Sequence, residues 1–295
     1  MTEKETRSGF VGIIGAPNAG KSTLLNHVLG QKISITSKKP QTTRDNIIGI
    51  INRPDSQIIF VDTPGIHKST TLLNQRIVDQ AMQALEDVDV ILFMVDAASR
   101  NYSAEKLILR RLEKEAKPVV LGLNKIDLAN KADVYVLVGE FKSLFDFKAI
   151  VPISAKKGVQ TESLLQELET SLNIGPRLYP EDTFTDVSEK FMVREIVREK
   201  VFRLTGMEIP YSSAVTVDAF EVEKKLIVIH ASIHVVRKSQ KGIIIGKQGT
   251  MLKRIGSSAR KDIEEMLGTR VLLKLFVKVT KDWISNQRHL SEFGY

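Results

Sequence analysis

Two glycine-containing stretches of this sequence carry residue types that bind phosphate. The first is "GAPNAGKS", which fits the pattern G-x-x-x-x-G-K-[ST] between an apolar run and a helix-forming segment. Glycines let backbone N–H groups approach phosphate oxygens, and the start of a helix points further N–H groups at them. We therefore expect a nucleotide-phosphate loop in which Lys21 reaches the β- and γ-phosphates and Ser22 holds Mg²⁺. Its members are Gly15, Ala16, Pro17, Asn18, Ala19, Gly20, Lys21, Ser22 and Thr23.

Two further segments could complete the phosphate end of such a site. "DTPG" ends an apolar run, so Asp62 could reach Mg²⁺ through water and the Gly65 N–H could contact the γ-phosphate. "KPQTTRD" (39–45) stands where a nucleotide-sensing switch segment is expected. Either Thr42 or Thr43 would close on Mg²⁺ and the γ-phosphate, and we favour Thr43. The predicted magnesium ligands are thus Ser22, Thr43 and Asp62.

Two motifs at the ends of later apolar runs indicate which base is bound. In "NKID", Asp127 could accept hydrogen bonds from guanine N1–H and N2–H, a pair of donors that adenine does not offer. Asn124 would hold the base and the phosphate loop, and the Lys125 stem would cover the ring. In "SAK", the Ala155 N–H could bind guanine O6. The nucleotide contacts expected here are Asn124, Lys125, Asp127, Ser154, Ala155 and Lys156. Together and in this order, the motifs resemble those of translation-factor-type GTPases.

The sequence differs from Ras-type GTPases at the position that orients the attacking water. Those proteins carry glutamine after D-x-x-G, whereas this chain has Ile66, which can neither position nor polarise water. We therefore expect a slow intrinsic GTPase with Lys21, Thr43, Gly65 and Asn18 as its catalytic residues. In related GTPases an asparagine at the position of Asn18 helps bind K⁺ beside the phosphates, and we hypothesise the same here.

The second glycine stretch, "GIIIGKQG", lacks the spacer and the hydroxyl that a magnesium nucleotide needs. It matches the G-x-x-G turn between two helices of a KH domain, which clamps the backbone of about four nucleotides. Arg260 and Lys261 would extend the basic surface, and Ile244 would serve core and groove. His230 and His234 are interpreted as structural or solvent-facing, not as metal ligands. The expected RNA contacts are Gly242, Ile243, Ile245, Gly246, Lys247, Gln248, Gly249, Lys253 and Arg254.

Alternating elements position the first set of motifs. Near-continuous apolar runs predict strands buried on both faces, and strand–helix alternation predicts an α/β domain with a mostly parallel sheet. The strands are predicted at 10–15, 46–51, 57–62, 88–96, 118–125 and 148–154. The helices are predicted at 21–29, 72–85, 104–114, 135–144 and 161–171.

The later part of the chain has a different order of elements. A proline-containing polar stretch predicts a linker, and the pattern beyond it reads α-β-β-α-α-β, a compact α+β module. We expect a GTP-binding domain at 1–175, a linker at 176–188 and a KH-type RNA-binding domain of type II at 189–295.

Composition narrows the class of protein. The last fifth of the chain, 237–295, holds 13 Lys or Arg against 5 Asp or Glu, a net +8 that equals the charge of all 295 residues. A localised basic excess indicates a polyanionic partner. There is no cysteine, no apolar run near the roughly 18 residues of a membrane span and no signal-peptide pattern, so we expect a soluble intracellular protein.

A GTPase domain followed directly by a KH domain, with "GAPNAGKSTLLN", "KPQTTRD", "DTPG", "NKID", "GIIIGKQG" and "LLKLFVKVTKDW", closely resembles the Era family of bacterial GTPases. The resemblance implies a GTP-controlled monomer, dependent on Mg²⁺, that binds the 3′ end of small-subunit ribosomal RNA and assists maturation of the small ribosomal subunit. It also implies a cytoplasmic protein that associates peripherally with the inner face of the membrane.

One alternative function remains open at this point. A GTPase partner of a tRNA-modification system would carry a similar loop, but such enzymes use a cysteine near the C-terminus, and this sequence has no cysteine, which weighs against it. A membrane or metal-transport GTPase should show spanning segments, and tandem-GTPase ribosome factors need two sets of nucleotide motifs; this sequence shows no spanning segment and one set of motifs.

Overall fold

The computed structural model describes residues 6–36, 43–65, 72–206, 208–224 and 226–295. The chain divides into two compact units. The first contains the described residues of Met1–Ser69 and Ile77–Asp186, and the second contains those of Thr70–Arg76 and Val187–Tyr295. Thr42, the alternative to Thr43 as a magnesium ligand, and Ile66, which replaces the glutamine of Ras-type GTPases, lie outside the described residues.

The first unit is built on a six-stranded sheet. Its strands are β1 (Arg7–Gly15), β2 (Ile47–Asn52), β3 (Ser56–Asp62), β4 (Val90–Asp96), β5 (Val119–Asn124) and β6 (Ala149–Pro152). They are ordered β2-β3-β1-β4-β5-β6, and only β2 runs antiparallel to its neighbour. Every residue of β3 and of β5 is buried, as expected for strands covered on both faces.

Five α-helices of the described residues accompany this sheet: four lie between successive strands, and the fifth follows β6. They are α1 (Lys21–Leu29), α2 (Leu72–Glu86), α3 (Ser103–Leu112), α4 (Lys131–Leu144) and α5 (Thr161–Ser171). The predicted helix at 135–144 was too short, because α4 begins at Lys131. Its first three residues, Lys131, Ala132 and Asp133, are exposed, so apolar periodicity gave no signal for its start. The core between the sheet and these helices includes Phe93, Leu121 and Phe141.

The segment predicted as a linker is hydrogen-bonded along the β2 side of this sheet. The Ile50 N–H donates to the Phe184 carbonyl at 2.9 Å. The Gln57 side chain donates to the Tyr179 carbonyl at 2.8 Å and accepts from the Tyr179 N–H at 2.9 Å. Residues 176–186, called here the connecting segment, therefore cover backbone groups that an edge strand would otherwise expose.

The second unit is built on a three-stranded sheet. Its elements in order are α6 (Glu189–Leu204), α7 (Ile209–Ser212), β7 (Ser213–Glu223), β8 (Leu226–Val235), α8 (Lys238–Ile245), α9 (Thr250–Leu267), β9 (Val271–Val279) and α10 (Gln287–Glu292). The order β7-β8-β9 pairs β7 and β8 antiparallel and β8 and β9 parallel. The predicted α-β-β-α-α-β pattern is present. The structure adds the short helix α7, whose four residues are too few to show a helical pattern in the sequence.

No helix in the described part of the chain is long and apolar enough to cross a membrane.

Candidate nucleotide site and nucleic-acid interface

The phosphate loop connects β1 to α1 in a conformation that needs positive φ angles. Asn18 has φ 65° and Gly20 has φ 100°. A Cβ at Gly20 would lie 2.1 Å from Asn124 Nδ2, so only glycine fits between the loop and that side chain. The loop therefore ends where the first turn of α1 presents unpaired N–H groups, the geometry that binds phosphate.

Lys21 is held inside this loop. Its Nζ donates to the carbonyl of Gly15 at 3.1 Å and to that of Ala16 at 3.3 Å. Burial lowers the pKa of Lys21 to about 8, and the negative charge of Asp62 opposes this shift. Burial disfavours the charged ammonium, and the negative charge of a bound polyphosphate would offset that cost and keep Lys21 protonated.

Three oxygen-bearing side chains meet beside the loop, as the sequence predicts for a magnesium site. Ser22 Oγ donates to Asp62 Oδ2 at 2.8 Å and lies 2.9 Å from Thr43 Oγ1. Thr43 is 7 % exposed, and Asp62 Oδ1 is buried without a hydrogen-bond partner among the described residues. Hydroxyl and carboxylate oxygens are the ligands that Mg²⁺ prefers, so this donor set fits the ion.

Two residues that were not among the predicted site residues hold Asp62 in place. Ser34 is fully buried, and its Oγ donates to Asp62 Oδ2 at 3.0 Å. Asn26, on α1, fixes Ser34 by accepting its N–H at 2.9 Å and donating to its carbonyl at 2.7 Å. Serine in "KISITS" has no spacing that could have indicated this role, because the contact spans 28 residues of chain.

Gly65 lies against the phosphate loop: a Cβ there would come within 2.9 Å of Pro17 Cα. Asn18 is exposed at the tip of the loop, whereas Ala19 is buried beneath it. Thr23 is half-buried in the first turn of α1. The residues predicted for the phosphate end are thus gathered at the carboxyl ends of β1 and β3.

Asn124 ties the base-binding motifs to the phosphate loop. Its Nδ2 donates to the Ala19 carbonyl at 2.8 Å, and its Oδ1 accepts the Ala155 N–H at 2.9 Å. The Ala155 N–H, expected at guanine O6, therefore donates to Asn124 in this structure. Lys125 follows in a left-handed conformation with φ 65°. Its Nζ donates to Asp96 Oδ2 at 2.5 Å, a contact that no sequence motif indicated.

Asp127 is placed with an open carboxylate. Ser154 Oγ donates to Asp127 Oδ1 at 2.7 Å, and this hydrogen bond lowers the pKa of Asp127 below its usual value. An ionised Asp127 is an acceptor only, which suits a base edge with two N–H donors. Lys156 is exposed beside this end of the site.

In the second unit, the G-x-x-G stretch forms a tight turn between α8 and α9. Gly246 has φ 73° and ψ 173°, and a Cβ there would lie 2.7 Å from Met251 Cβ. Gln248 and Gly249 also have positive φ, at 51° and 78°. Lys247 and Gln248 are exposed at the tip of the turn.

The side chains that flank this turn divide between core and surface. Ile244 is fully buried, while Ile243 is 53 % exposed and Ile245 is half-buried. Gly242 is exposed on α8. On α9 the exposed basic side chains are Lys253, Arg254, Arg260 and Lys261. An apolar strip beside a cationic helix face is the combination that binds unstacked nucleotides.

The two strand histidines have structural contacts. His234 is 7 % exposed, with Nε2 3.0 Å from Thr216 Oγ1 and Nδ1 3.0 Å from Thr280 Oγ1. Burial lowers its pKa to about 4. His230 is half-buried against the ring of Phe276. Within the described ranges, no three His, Cys, Asp or Glu side chains cluster so that they could hold a metal.

Comparison with known proteins agrees with both units. A family model described as a 50S ribosome-binding GTPase matches residues 10–125, and a KH domain model matches residues 208–284. The fold and the sites therefore define a P-loop GTPase domain followed by a smaller α+β KH domain, which confirms the predicted fold class.

Relatives that match over the full length identify the family more specifically. The chain is 52 % identical to GTPase Era of Geotalea daltonii and 51 % identical to GTPase Era of Geotalea uraniireducens, over 100 % of each chain. The chain belongs to the Era family of GTPases. A crystal structure of Era in complex with MgGDPNP and nucleotides 1506–1542 of 16S ribosomal RNA is 41 % identical, with a TM-score of 0.95 over 98 % of this chain and 99 % of that one. A structure of an Aquifex aeolicus Era variant bound to GDP·AlF4⁻ is 40 % identical, with a TM-score of 0.94 over the same shares.

Proposed function

We propose that this protein is a Mg²⁺-dependent GTP-hydrolysing switch that binds single-stranded small-subunit ribosomal RNA near its 3′ end and assists maturation of the small ribosomal subunit. The observation that carries the proposal is the meeting of Ser22, Thr43 and Asp62 beside the phosphate loop. Thr43 belongs to the first switch segment predicted from the sequence, so its position can report on bound nucleotide.

Each group in the site has a task in this proposal. The phosphate loop and Lys21 bind the β- and γ-phosphates, and Ser22, Thr43 and Asp62 would hold Mg²⁺, which supplies charge stabilisation when bound. Asp127 selects guanine by accepting two hydrogen bonds. The relatives solved with MgGDPNP and with GDP·AlF4⁻ support this assignment.

The connecting segment offers a route from the nucleotide to the second unit. β2 follows the segment that contains Thr43, and Thr185 Oγ1 donates to the Ile48 carbonyl on β2 at 2.6 Å. The main part of the second unit begins directly after this segment, at Val187. A shift of Thr43 on hydrolysis would therefore reach the chain that enters the KH domain through the contact of Thr185 with β2.

RNA affinity in the two nucleotide states tests the switch. We expect the GDPNP and GDP forms to bind a single-stranded 3′ fragment of 16S ribosomal RNA with different affinities at fixed salt. Thr185→Val, which removes the bond to β2, should reduce that difference, whereas Thr170→Val, at an exposed helix position, should leave it intact. Equal affinities of the wild-type GDPNP and GDP forms would refute the switch while leaving RNA binding itself in place.

Removal of one charge at the turn tests the RNA site. Lys247→Ala should weaken binding across sequences and lower the salt slope by about 1, as loss of one phosphate contact does. Lys224→Ala removes an exposed lysine elsewhere in the same unit and serves as the matched control. Crosslinking and sequencing of the bound RNA distinguishes this function from the tRNA-modification alternative, because recovery of tRNA alone would overturn it.

The potassium hypothesis is part of the proposed catalytic mechanism. Asn18 is exposed at the loop tip, in a left-handed conformation with φ 65°. A K⁺ ion there would offset charge that develops between the β- and γ-phosphates. The GTPase rate should fall when Na⁺ replaces K⁺, and Asn18→Ala should remove the dependence. An unchanged rate in Na⁺ would refute the hypothesis.

We further propose a cytoplasmic monomer with peripheral contact to the inner face of the membrane. The family resemblance supports this location. Flotation with anionic vesicles tests membrane contact, and light scattering tests the monomer.

A further inference from the structure

Asp96 ends β4 beside the base-binding motifs. In the sheet register it pairs with Asn124, the first residue of "NKID". Asp96 Oδ1 accepts the Ala98 N–H at 2.9 Å, and its backbone carbonyl accepts the Tyr102 hydroxyl at 3.3 Å. The carboxylate is therefore held by its own strand end, independently of Lys125.

The second carboxylate oxygen of Asp96 faces Lys125. Oδ2 lies 2.5 Å from Lys125 Nζ, and the two side chains are 24 % and 29 % exposed. A lysine stem has several rotatable bonds and samples many rotamers unless its ammonium is anchored. This ion pair supplies that anchor at the end of the site where the base binds.

We propose that Asp96 is a positioning residue that holds the Lys125 stem across the face of the bound guanine. The inference rests on the proposed GTP binding. It separates two tasks: Asp96 and Lys125 cover the ring, and Asp127 with Ser154 reads its edge. Loss of Asp96 should therefore weaken binding of every base that presents the same ring face, without changing the preference among base edges.

The test compares nucleotide affinities of the full chain. Asp96→Asn keeps an acceptor for the Ala98 N–H and removes the charge, and Asp96→Ser does the same with a hydroxyl. Both should weaken binding of GDP and of inosine 5′-diphosphate by the same factor, roughly threefold to fivefold, as loss of a partly exposed ion pair does. Asp89→Asn is the matched control. Asp89 accepts the Phe10 N–H at 2.7 Å at the opposite end of β4, so this variant should bind both nucleotides like wild type.

A double-mutant cycle excludes a merely structural role. In a Lys125→Ala background, Asp96→Asn should cause no further loss of GDP affinity. The inference would be overturned if Asp96→Asn weakened GDP binding in the Lys125→Ala background by the same factor as in wild type. It would also be overturned if neither Asp96→Asn nor Asp96→Ser changed the affinity. A wild-type protein that does not prefer GDP to ADP would instead refute the proposed function, so the two failures are distinguishable.

Discussion

Replacing Asn124 with alanine should destabilise the first unit even without nucleotide. Asn124 is 2 % exposed and joins two loops through buried hydrogen bonds, to the Ala19 carbonyl at 2.8 Å and from the Ala155 N–H at 2.9 Å. Alanine leaves both backbone groups buried without a partner. Each of the two orphaned groups costs about 1–3 kcal/mol, so we expect a loss of about 2–6 kcal/mol in the free energy of unfolding.

The chain offers a direct way to assign this loss to the first unit. Trp283, the single tryptophan, is fully buried in the second unit, so its fluorescence follows that unit alone. In urea, the far-ultraviolet circular dichroism transition of the Asn124→Ala variant should move to lower denaturant, while the fluorescence transition stays in place.

A matched control uses another asparagine of the same unit. Asn101 is exposed, and its Oδ1 accepts the Ser103 N–H at 2.9 Å. Asn101→Ala should change the free energy of unfolding by about 0.5 kcal/mol or less. If Asn124→Ala proves no more destabilising than this control, the two hydrogen bonds of Asn124 are not what holds the phosphate loop and the Ala155 loop together.

Three further perturbations should change magnesium affinity or stability in a defined direction. Ser34→Ala removes the hydrogen bond that holds Asp62 and should weaken Mg²⁺ affinity of the GDP complex about tenfold, measured by chelator-induced release of a fluorescent GDP; unchanged release would contradict it. The pKa of His234, about 4 when folded, lies below its ordinary value of 6.5, so the unfolded chain takes up the proton first and stability falls as pH drops through that window. Relative to His234→Asn, wild type should lose up to about 3 kcal/mol between pH 6.5 and pH 4, and parallel pH profiles would refute the assignment. Gly246→Ala should destabilise the second unit by about 1–3 kcal/mol, seen by tryptophan fluorescence in urea. Gly249→Ala, with open space around its Cβ, should cost less, and the reverse order would contradict the steric clash with Met251 expected at Gly246.

Much of the site could be predicted because its motifs are short, continuous segments in which residue type and spacing determine the local geometry. A phosphate loop is one continuous segment, so Lys21 and Ser22 are fixed relative to the loop glycines by sequence alone. The same holds for the G-x-x-G turn, whose Gly246 needs a backbone conformation that other residues avoid. The start of α4 was missed because its first three residues are exposed, and apolar periodicity reports only buried faces.

The residues that sequence reasoning missed act across long separations. Asp96 reaches Lys125 because the parallel strands β4 and β5 end at one edge of the sheet, and Ser34 reaches Asp62 because the loop after α1 passes the end of β3. Neither serine nor aspartate at these positions forms a pattern with its sequence neighbours. The covering of β2 by the connecting segment has the same origin, since the Ile50–Phe184 bond joins residues far apart in the chain.

The sequence by itself determined the two glycine-containing turns, the NKID motif and the concentration of basic charge in the last fifth of the chain, because each depends on residues close together in the chain. Only the tertiary structure decided which oxygens meet Asp62, what anchors Lys125 and where the connecting segment lies. Those contacts depend on strand order and register, which many sequences with the same local motifs could satisfy in different ways.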